Sequence, residues 1–337
     1  MDQDILVVES LKKYFPIRAG IFSRVKESVR AVDDISFALR KGETLGIVGE
    51  TGCGKSTLGR TVIRLYEASA GKIYFAGDDG ALTDITHLSG EDLLQFRKDM
   101  QVIFQDPFSS LNPRMTVQAI VEEGLLVNKI GIRAERSKVV ADMLERVGIP
   151  VDSMRRYPHE FSGGQRQRIG IARALVLRPK LIVCDEPVSA LDVSIQSQVL
   201  NLLVDLRREF GFSYLFISHD LSVVKYISDR VAVMYLGEIV EIGRTDELYD
   251  NPLHPYTRAL LSAIPTFDAE VRKNRIYLTG ELPSPVNPPT GCRFHPRCPL
   301  YIDGLCNEIA PRSFNLGNGH TVCCHAVERE MDVSAND

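Results

Sequence analysis

The sequence predicts an α/β fold with a largely parallel central sheet, a helical insertion and a small cysteine-rich C-terminal segment. Short apolar runs alternate with segments of helical spacing, which is the pattern of strands covered by helices. One run, TLGIVG (44–49), passes through a glycine-rich loop directly into a helix. From about residue 266 the composition changes, and proline and then cysteine become frequent.

The predicted strands are short, and apolar enough to be buried on both faces. They lie at 44–49, 72–77, 101–105, 181–185, 214–219 and 231–237. Helices are predicted at 55–66, 135–147, 163–177, 192–210 and 221–228. Residues 106–178 hold few strand signals and are interpreted as a helical insertion. We therefore expect a first domain over 1–265 and a C-terminal extension over 266–337.

Composition excludes several classes of protein. The 337 residues are 44% hydrophobic and 25% charged with a net charge of −4, which does not favour a general nucleic-acid binder. No apolar run reaches the ~18 residues that a membrane span needs. The start, MDQDILVVESLKKYF, is acidic and lacks the apolar core of a signal peptide. We expect a cytosolic protein, in which disulfides are rare.

The segment GETGCGKS fits the phosphate-binding pattern G-x-x-x-x-G-K-[ST]. Its glycines let backbone N–H groups approach phosphate oxygens, Lys55 supplies a charge at the β- and γ-phosphates, and Ser56 can ligate Mg²⁺. A chance match in a glycine-rich turn is the alternative, which the strand before it and the helix after it disfavour. The candidate nucleotide-binding residues here are Gly49, Glu50, Thr51, Gly52, Cys53, Gly54, Lys55, Ser56 and Thr57.

The apolar strand LIVCD ends in two carboxylates, Asp185 and Glu186. A carboxylate at the C-terminal end of such a strand can hold Mg²⁺, and Asp185 fits that role. Glu186 is placed to polarise the attacking water as a general base. A solvated strand end is the alternative when the motif stands alone, but a phosphate-binding loop in the same chain favours the catalytic interpretation.

The segment FSGGQRQRIGIARAL (161–175) predicts a second anion site. Ser162, Gly163 and Gly164 lie at a helix start, where free N–H groups and the helix dipole favour a negative charge. An ordinary serine-capped helix is the alternative. Because one phosphate-binding loop already serves one nucleotide, the second site suggests a nucleotide shared between two subunits.

Together these motifs resemble the ATP-binding subunits of ABC transporters. SGGQ at Ser162–Gln165 matches the signature motif of that family, Gln105 fits its Q-loop and Asp192 its D-loop. His219 fits the switch histidine, and Tyr14 stands where the family stacks an aromatic ring on adenine. Phe15 could compete with Tyr14 for that place.

The resemblance implies an ABC-type ATPase domain with a RecA-like core and a helical subdomain at about 106–178. Two such domains would face each other head to tail, each ATP lying between the P-loop of one and the SGGQ of the other. Gln105, Ser56 and Asp185 would hold Mg²⁺. Glu186 and His219 would act in hydrolysis, and Asp192 would couple the two sites.

The end of the chain indicates a branch within this family. NPLHPYTRALLSAIP (251–265) and LTGELPSPVNPPTGCRFHPRCP (278–299) resemble the C-terminal region of ATPases from dipeptide, oligopeptide and nickel importers. IFSRVKESVRAVDDISF (21–37) is most similar to the second ATPase subunit of dipeptide importers.

This implies an ATP-hydrolysing subunit that powers peptide import, peripheral on the cytoplasmic face of the cell membrane. The implied partners are a second ATPase subunit, with a paralogue favoured over a second copy, two transmembrane permeases and an extracytoplasmic substrate-binding protein. Nickel chelates, glutathione and haem remain open as cargo. A soluble ABC ATPase without a transport role is the other class, and one P-loop with one SGGQ in the chain disfavours it.

The cysteines of the tail form a candidate iron–sulfur site. The spacing C-x₅-C-x₇-C-x₁₇-C fits zinc poorly, whereas four thiolates can hold a [4Fe–4S] cluster, with which related tails are associated. Zinc and free thiols remain alternatives, Cys323 could replace the last cysteine, and His295 and His325 are rival ligands. Whether such a cluster is structural or redox-sensing is open. The four candidate ligands are Cys292, Cys298, Cys306 and Cys324.

Because the nucleotide motifs lie outside the tail, we expect nucleotide binding to survive the loss of these cysteines.

Overall fold

The computed structural model describes residues 3–19, 24–106, 108–264, 276–278, 280–317 and 319–334. The chain divides into two compact units. Unit 1 contains residues 1–7, 38–44 and 74–218, and unit 2 contains residues 8–37, 45–73 and 219–337. The predicted boundary at 265/266 falls where residues 265–275 lie outside the described part, so it stays a prediction.

Unit 1 is built on three parallel strands, in the order β8-β7-β6. They are β6 (Met100–Ile103), β7 (Leu181–Asp185) and β8 (Ser213–Ile217). Every residue of β7 and β8 is buried, because their side chains are apolar on both faces, as in parallel sheets covered by helices.

The described residues between β6 and β7 form three α-helices and two 3₁₀ helices. They are α3 (Val117–Val127), α4 (Arg133–Arg146), the 3₁₀ helices Val151–Arg155 and Pro158–Glu160, and α5 (Gly163–Leu175). Unit 1 also contains α2 (Gly90–Arg97) before β6 and α6 (Val193–Phe210) after β7. α6 ends at Gly211, whose φ of 71° suits a glycine C-cap.

Unit 2 contains all but the first residue of β3 (Thr44–Val48), which pairs parallel with β9 (Arg230–Tyr235). β9 turns back through Leu236 and Gly237 into β10 (Glu238–Arg244), which pairs with it antiparallel. Two short strands of the tail, β11 (Phe314–Asn315) and β12 (Thr321–Val322), extend this sheet, with β12 antiparallel to β10.

The helices of unit 2 surround these strands. They are α1 (Lys55–Val62), α7 (Leu221–Ile227), α8 (Thr245–Asp250), α9 (Pro255–Ser262), the 3₁₀ helix His295–Arg297 and α10 (His325–Ser334). In the tail, Val322, Cys324 and Val327 form a small buried cluster with Leu253.

A further sheet has the order β2-β1-β4-β5, and its first three strands each run through both units. The strands are β1 (Asp4–Ala19), β2 (Arg24–Arg40), β4 (Ala70–Ala76) and β5 (Leu82–Asp84). β5 pairs antiparallel with the end of β4.

The predicted α/β class with parallel strands is confirmed, and each predicted strand is present. Sequence reasoning missed the long strands β1 and β2, because polar residues and a proline interrupt their apolar pattern. The helix predicted at 55–66 ends at Val62, and Arg64 just beyond it has a positive φ of 59°. Within the described residues no helix is long and apolar enough to span a membrane.

Candidate functional site

The loop between β3 and α1 in unit 2 contains residues 49–54, and two of its glycines are required by the close approach of neighbouring backbone. A Cβ at Gly49 would lie 2.1 Å from the carbonyl oxygen of Met234, and one at Gly54 would lie 1.9 Å from that of Ala31. Gly54 also has a φ of 108°, which disfavours a side chain. The loop backbone can therefore curl tightly before the helix begins.

Lys55 is the first residue of α1, and its side chain folds back over this loop. Its Nζ donates to the carbonyl oxygens of Gly49 at 2.8 Å and Glu50 at 3.0 Å. Lys55 is buried, and Ser56 follows it in the first turn, where backbone N–H groups lack partners within the helix. A fixed ammonium beside these N–H groups can bind phosphate oxygens, and the Ser56 hydroxyl is placed in the turn where a Mg²⁺ ligand is needed.

Tyr14 is held by its hydroxyl, which donates to Oδ1 of Asp33. Burial and this hydrogen bond raise the pKa of Tyr14 to about 12, so the phenol stays neutral. The neighbouring Phe15 instead packs edge-on against Tyr66, with ring centroids 5.5 Å apart. Tyr14 and Phe15 therefore occupy different surroundings, and Tyr14 alone of the two is fixed by a carboxylate.

The carboxylates predicted for catalysis lie at the end of β7 in unit 1. Asp185 is buried, and Glu186 has a φ of 51°, which is rare for a residue with a side chain. The Glu186 N–H donates to the carbonyl oxygen of Ile217 at 3.0 Å. Gln105 Nε2 donates to Oε2 of Glu186 at 3.1 Å, so two predicted residues 81 positions apart meet. The Gln105 amide thus fixes the orientation of the Glu186 carboxylate.

The SGGQ motif begins α5 with a reciprocal cap. The Gln165 N–H donates to Ser162 Oγ at 3.3 Å, and the Ser162 N–H donates to Gln165 Oε1 at 3.0 Å. A Cβ at Gly164 would lie 2.5 Å from Cγ2 of Ile195 on α6, so this glycine allows α6 to pack closely. Gly163 and Gly164 lie in the first turn of the helix, as predicted for an anion site.

Asp192 and His219 are both exposed and both stand next to a helix start. Asp192 is the N-cap of α6 in unit 1. His219 belongs to unit 2 and precedes Asp220, whose carboxylate accepts hydrogen bonds from the first turn of α7. The structure thus brings Gln105 to Glu186 in unit 1 and gathers the phosphate-binding loop residues in unit 2.

The four candidate cysteine ligands of the tail lie within electrostatic range of one another. Burial raises the pKa of Cys292 to about 12, and the thiols of Cys324, Cys306 and Cys298 add to the rise. Burial likewise raises the pKa of Cys298 to about 11, with Cys324 and Cys306 adding to it. Cys324 and Cys306 also interact with each other.

Cys323 faces other surroundings, and its hydrogen-bond partner is the Ser313 side chain. His295 Nδ1 lies 2.9 Å from the Cys292 carbonyl oxygen, and His325 Nε2 lies 2.9 Å from that of Ile309. In the described part of the chain no group of three or more His, Cys, Asp or Glu side chains is arranged to hold a metal ion.

Sequence reasoning missed two tail residues, one of which contacts the phosphate-binding loop and the other the carboxylate that holds Tyr14. Arg297 binds the Glu50 carboxylate with two hydrogen bonds of 2.9 and 3.2 Å. Arg293 binds the same Asp33 carboxylate that accepts from Tyr14. No spacing in the sequence signals these pairs, which join residues 247 and 260 positions apart.

Two family models match the chain. One, described as ABC transporter, matches residues 32–189. The other, described as oligopeptide/dipeptide transporter, C-terminal region, matches residues 240–306. The second match covers both 251–265 and 278–299, the two stretches whose resemblance the sequence suggested.

Curated relatives match almost end to end. The oligopeptide transport ATP-binding protein AppF of Bacillus subtilis is 56% identical, over 96% of this chain and 97% of its own length. The dipeptide transport ATP-binding protein DppF of Haemophilus influenzae is 49% identical, over 94% and 95%.

Solved structures share the fold. A dimeric post-hydrolysis state of the ATP-binding cassette MJ0796, bound to ADP and Pi, is 26% identical with a TM-score of 0.62 over 71% of this chain and 98% of its own. cbiO1 of Clostridium perfringens, part of the ABC transporter complex cbiONQ, is 30% identical with a TM-score of 0.62 over 74% and 92%. The chain therefore belongs to the ATP-hydrolysing, ATP-binding subunits of ABC transporters, in their oligopeptide/dipeptide branch.

Proposed function

We propose that this chain hydrolyses ATP to power the import of di- and oligopeptides. The observation that carries the proposal is the near full-length similarity to ATP-binding proteins named for oligopeptide and dipeptide transport, tail included. The geometry of the phosphate-binding loop, the Gln105–Glu186 pair and the capped SGGQ helix supports the ATPase part.

In this proposal each predicted residue has one role. Lys55 and the N–H groups of residues 49–57 bind the phosphates, and Tyr14 stacks on adenine. Ser56, Gln105 and Asp185 hold Mg²⁺, which would offset the charge of the phosphates. Glu186 takes the proton of the attacking water, and His219 contacts the γ-phosphate.

The partners we propose are a second ATPase subunit, two permeases and an extracytoplasmic substrate-binding protein, with the ATPases at the cytoplasmic face of the membrane. In the ATPase pair, Ser162, Gly163, Gly164 and Gln165 of one subunit would complete the site of the other, and Asp192 would couple the sites. Neither site could close alone, so hydrolysis would depend on assembly.

The experiment is reconstitution of the chain with its permeases in vesicles, followed by measurement of ATP hydrolysis and of labelled peptide uptake. Lys55→Ala should abolish both activities, whereas Lys138→Ala, at an exposed position of α4, should leave both unchanged. Peptide uptake that continues in Lys55→Ala would contradict the proposal. Competition by nickel chelates, glutathione or haem would identify an alternative cargo.

The helical region around Phe108 is the proposed contact with a permease. Phe108 is 58% exposed, and its ring lies 4.2 Å from the Arg166 guanidinium, beside the start of the SGGQ helix. A cysteine at Phe108 or Met115 should form a crosslink to a cytoplasmic loop of a permease. Crosslinks only to the other ATPase subunit would contradict this contact.

We further propose a [4Fe–4S] cluster on Cys292, Cys298, Cys306 and Cys324. The proposal rests on the spacing and the resemblance of the tail, since the described side chains are not arranged as a metal-binding group without the metal. Electrostatic interaction among the four thiols favours Cys324 over Cys323 as the fourth ligand. A single zinc ion draws four sulfurs to bonds of about 2.3 Å around one point, whereas each thiolate of a cluster binds its own iron. The raised pKa values of Cys292, Cys298 and Cys324 mean that binding must displace protons from these three thiols.

Anaerobically purified protein should then be brown and contain about four irons per chain. Cys298→Ser should remove the colour, and Cys323→Ser should retain it, because Cys323 faces Ser313. Stoichiometric zinc without iron would contradict the choice of metal, and a metal-free chain in an active transporter would contradict the site. A cluster that gates hydrolysis would appear as different ATPase rates in its oxidised and reduced states.

A further inference from the structure

The tail segment Cys292–Cys298, with the sequence CRFHPRC, packs directly against the elements proposed to bind ATP. Its anchor is Phe294, which is 1% exposed. The ring lies 5.3 Å from that of Tyr235 and 5.4 Å from that of Tyr256. An aromatic ring buried among other rings fixes the position of the residues on either side of it.

On the C-terminal side of Phe294, Arg297 binds the phosphate-binding loop. Its guanidinium makes two parallel hydrogen bonds with Glu50, and its side chain is 9% exposed. The Glu50 N–H donates to the Tyr256 hydroxyl at 2.9 Å, and Lys55 binds the Glu50 carbonyl oxygen. Backbone and side chain of Glu50 are thus both held, next to the ammonium proposed to bind phosphate.

The contact between Arg297 and Glu50 matters because the Glu50 carboxylate is negatively charged. An unpaired carboxylate in a phosphate-binding loop would repel a triphosphate, because like charges in partly buried sites are weakly screened. Burial opposes the charge of Arg297, but the hydrogen bonds with Glu50 raise its pKa above the ordinary value, so it stays cationic. Arg297 therefore neutralises a negative charge at the place where nucleotide phosphates would bind.

On the other side of the anchor, Arg293 reaches Tyr14 through Asp33. The guanidinium donates to the Asp33 carboxylate and to the Leu236 carbonyl oxygen, and its side chain is 7% exposed. The next residue, Gly237, donates its N–H to the Cys53 carbonyl oxygen at 2.9 Å. Arg293 is thus connected through Asp33 to Tyr14, which is proposed to stack on adenine. It is also connected through residues 236–237 to the phosphate-binding loop.

We propose that Arg293 and Arg297 are positioning residues for ATP, and that the segment 292–298 is a clamp that sets nucleotide affinity. The clamp rests on the proposed ATP site. Because Cys292 and Cys298 end the segment, whatever these thiols bind also holds the clamp. The contacts argue against the expectation that nucleotide binding is independent of the tail cysteines.

The test is ATP affinity of the full-length chain and KM and kcat of the assembled transporter. Arg297→Ala should raise the Kd and KM for ATP about tenfold, since it leaves the Glu50 carboxylate unpaired. The value of kcat should change little, because Arg297 touches none of the proposed catalytic groups. Arg312→Ala, an exposed arginine of the same tail, is the matched control and should leave the Kd unchanged.

A second variant distinguishes a role of Arg297 in positioning ATP from a role that only attaches the tail to the rest of the chain. Adding Glu50→Gln to Arg297→Ala removes the repelling charge and should restore most of the affinity. A double variant as weak as Arg297→Ala alone would overturn the electrostatic role. If Arg297→Ala does not fold, Arg297→Lys keeps the charge with a poorer hydrogen-bond geometry and should raise the Kd by about two- to threefold.

The link to the cysteines is tested by a double-mutant cycle. Cys298→Ser should raise the Kd in the wild-type chain but add little in the Arg297→Ala background, because both changes release the same clamp. Fully additive effects, or an Arg297→Ala variant with normal affinity, would overturn the clamp. Wild-type ATP binding that does not need Lys55 would instead mean that the proposed function itself has failed.

Discussion

The parallel strands of unit 1 and the C-terminal tail at 280–334 keep their shape by different means. All ten residues of β7 and β8 are buried and nearly all are apolar, so burial alone specifies them. In its described residues the tail contains, before its last helix, two strands of two residues each and one 3₁₀ turn. Its position depends on particular partners, which are aromatic rings, carboxylates and neighbouring thiols.

The difference shows in the buried polar side chains. Arg293, Arg297 and His320 of the tail are all largely buried and each contacts a carboxylate. A buried polar or charged side chain is costly unless it has a partner, so each of these residues specifies one partner rather than a general apolar surface. We therefore expect the core to tolerate apolar substitutions of similar volume. The tail is expected to depend on the identity of single side chains.

The largest expected effect concerns chemistry in the core and leaves the tail unchanged. Glu186→Gln should lower ATP turnover about 10²–10⁴-fold, because a positioned general base is lost. ATP affinity should be retained, since Lys55 and its loop are intact. The measurement is turnover and ATP Kd of the assembled transporter, and near-normal turnover would remove Glu186 from its proposed role.

Removing a buried aromatic ring should have different effects in the two regions. Phe216→Ala in β8 should lower the free energy of unfolding by about 3–5 kcal/mol, because the cavity lies in a packed core. Phe294→Ala should instead expose residues 280–334 to limited proteolysis and weaken ATP binding, while the rest of the chain stays folded. Global unfolding of both variants at the same denaturant concentration would show that the tail is part of the core.

Glu241 tests how much one carboxylate contributes to holding the tail. It is fully buried, accepts hydrogen bonds from the N–H groups of Leu253 and His254 at 2.9 Å each, and lies 2.8 Å from His320 Nε2. Glu241→Gln should lower the free energy of unfolding by about 1–3 kcal/mol, because a charged acceptor is replaced by a weaker one. The measurement is chemical denaturation near neutral pH.

The same residue predicts a pH dependence. Burial opposes the charge of Glu241, but the hydrogen bonds from His320 and from the N–H groups of Leu253 and His254 lower its pKa below the ordinary value of 4.5. The stabilisation is therefore present above pH 4.5 and is lost as the pH falls through the lowered pKa. Stability should fall less steeply below pH 4.5 in Glu241→Gln than in wild type, and identical slopes would contradict this.

The smallest expected effect comes from an ion pair on the surface. Arg146 and Glu209 of unit 1 contact each other with both side chains about half exposed. Arg146→Ala should change the free energy of unfolding by about 1 kcal/mol or less, because exposed pairs contribute little. Both this variant and Arg297→Ala remove an arginine that is paired with a glutamate, but Arg146 is about half exposed and Arg297 is largely buried. Arg297→Ala should therefore have the larger effect.

The α/β class and the strands of the central sheet were predictable from the sequence, which also predicts the residues of the proposed ATP site. Those motifs are local, because the phosphate-binding loop, the SGGQ cap and the strand end at Asp185 each depend on neighbours within a few positions. Their physical requirements of free N–H groups, left-handed glycines and buried apolar runs are visible in the order of residues alone.

The contacts between the tail and the proposed ATP site are visible in the tertiary structure alone. Arg297 and Glu50 are 247 positions apart, and nothing in either local sequence indicates the other. The choice between Cys323 and Cys324 likewise depends on which way each side chain faces once β12 pairs with β10. Partners of buried charges are specific and distant, so they are chosen by the packing of the whole chain rather than by any repeating pattern.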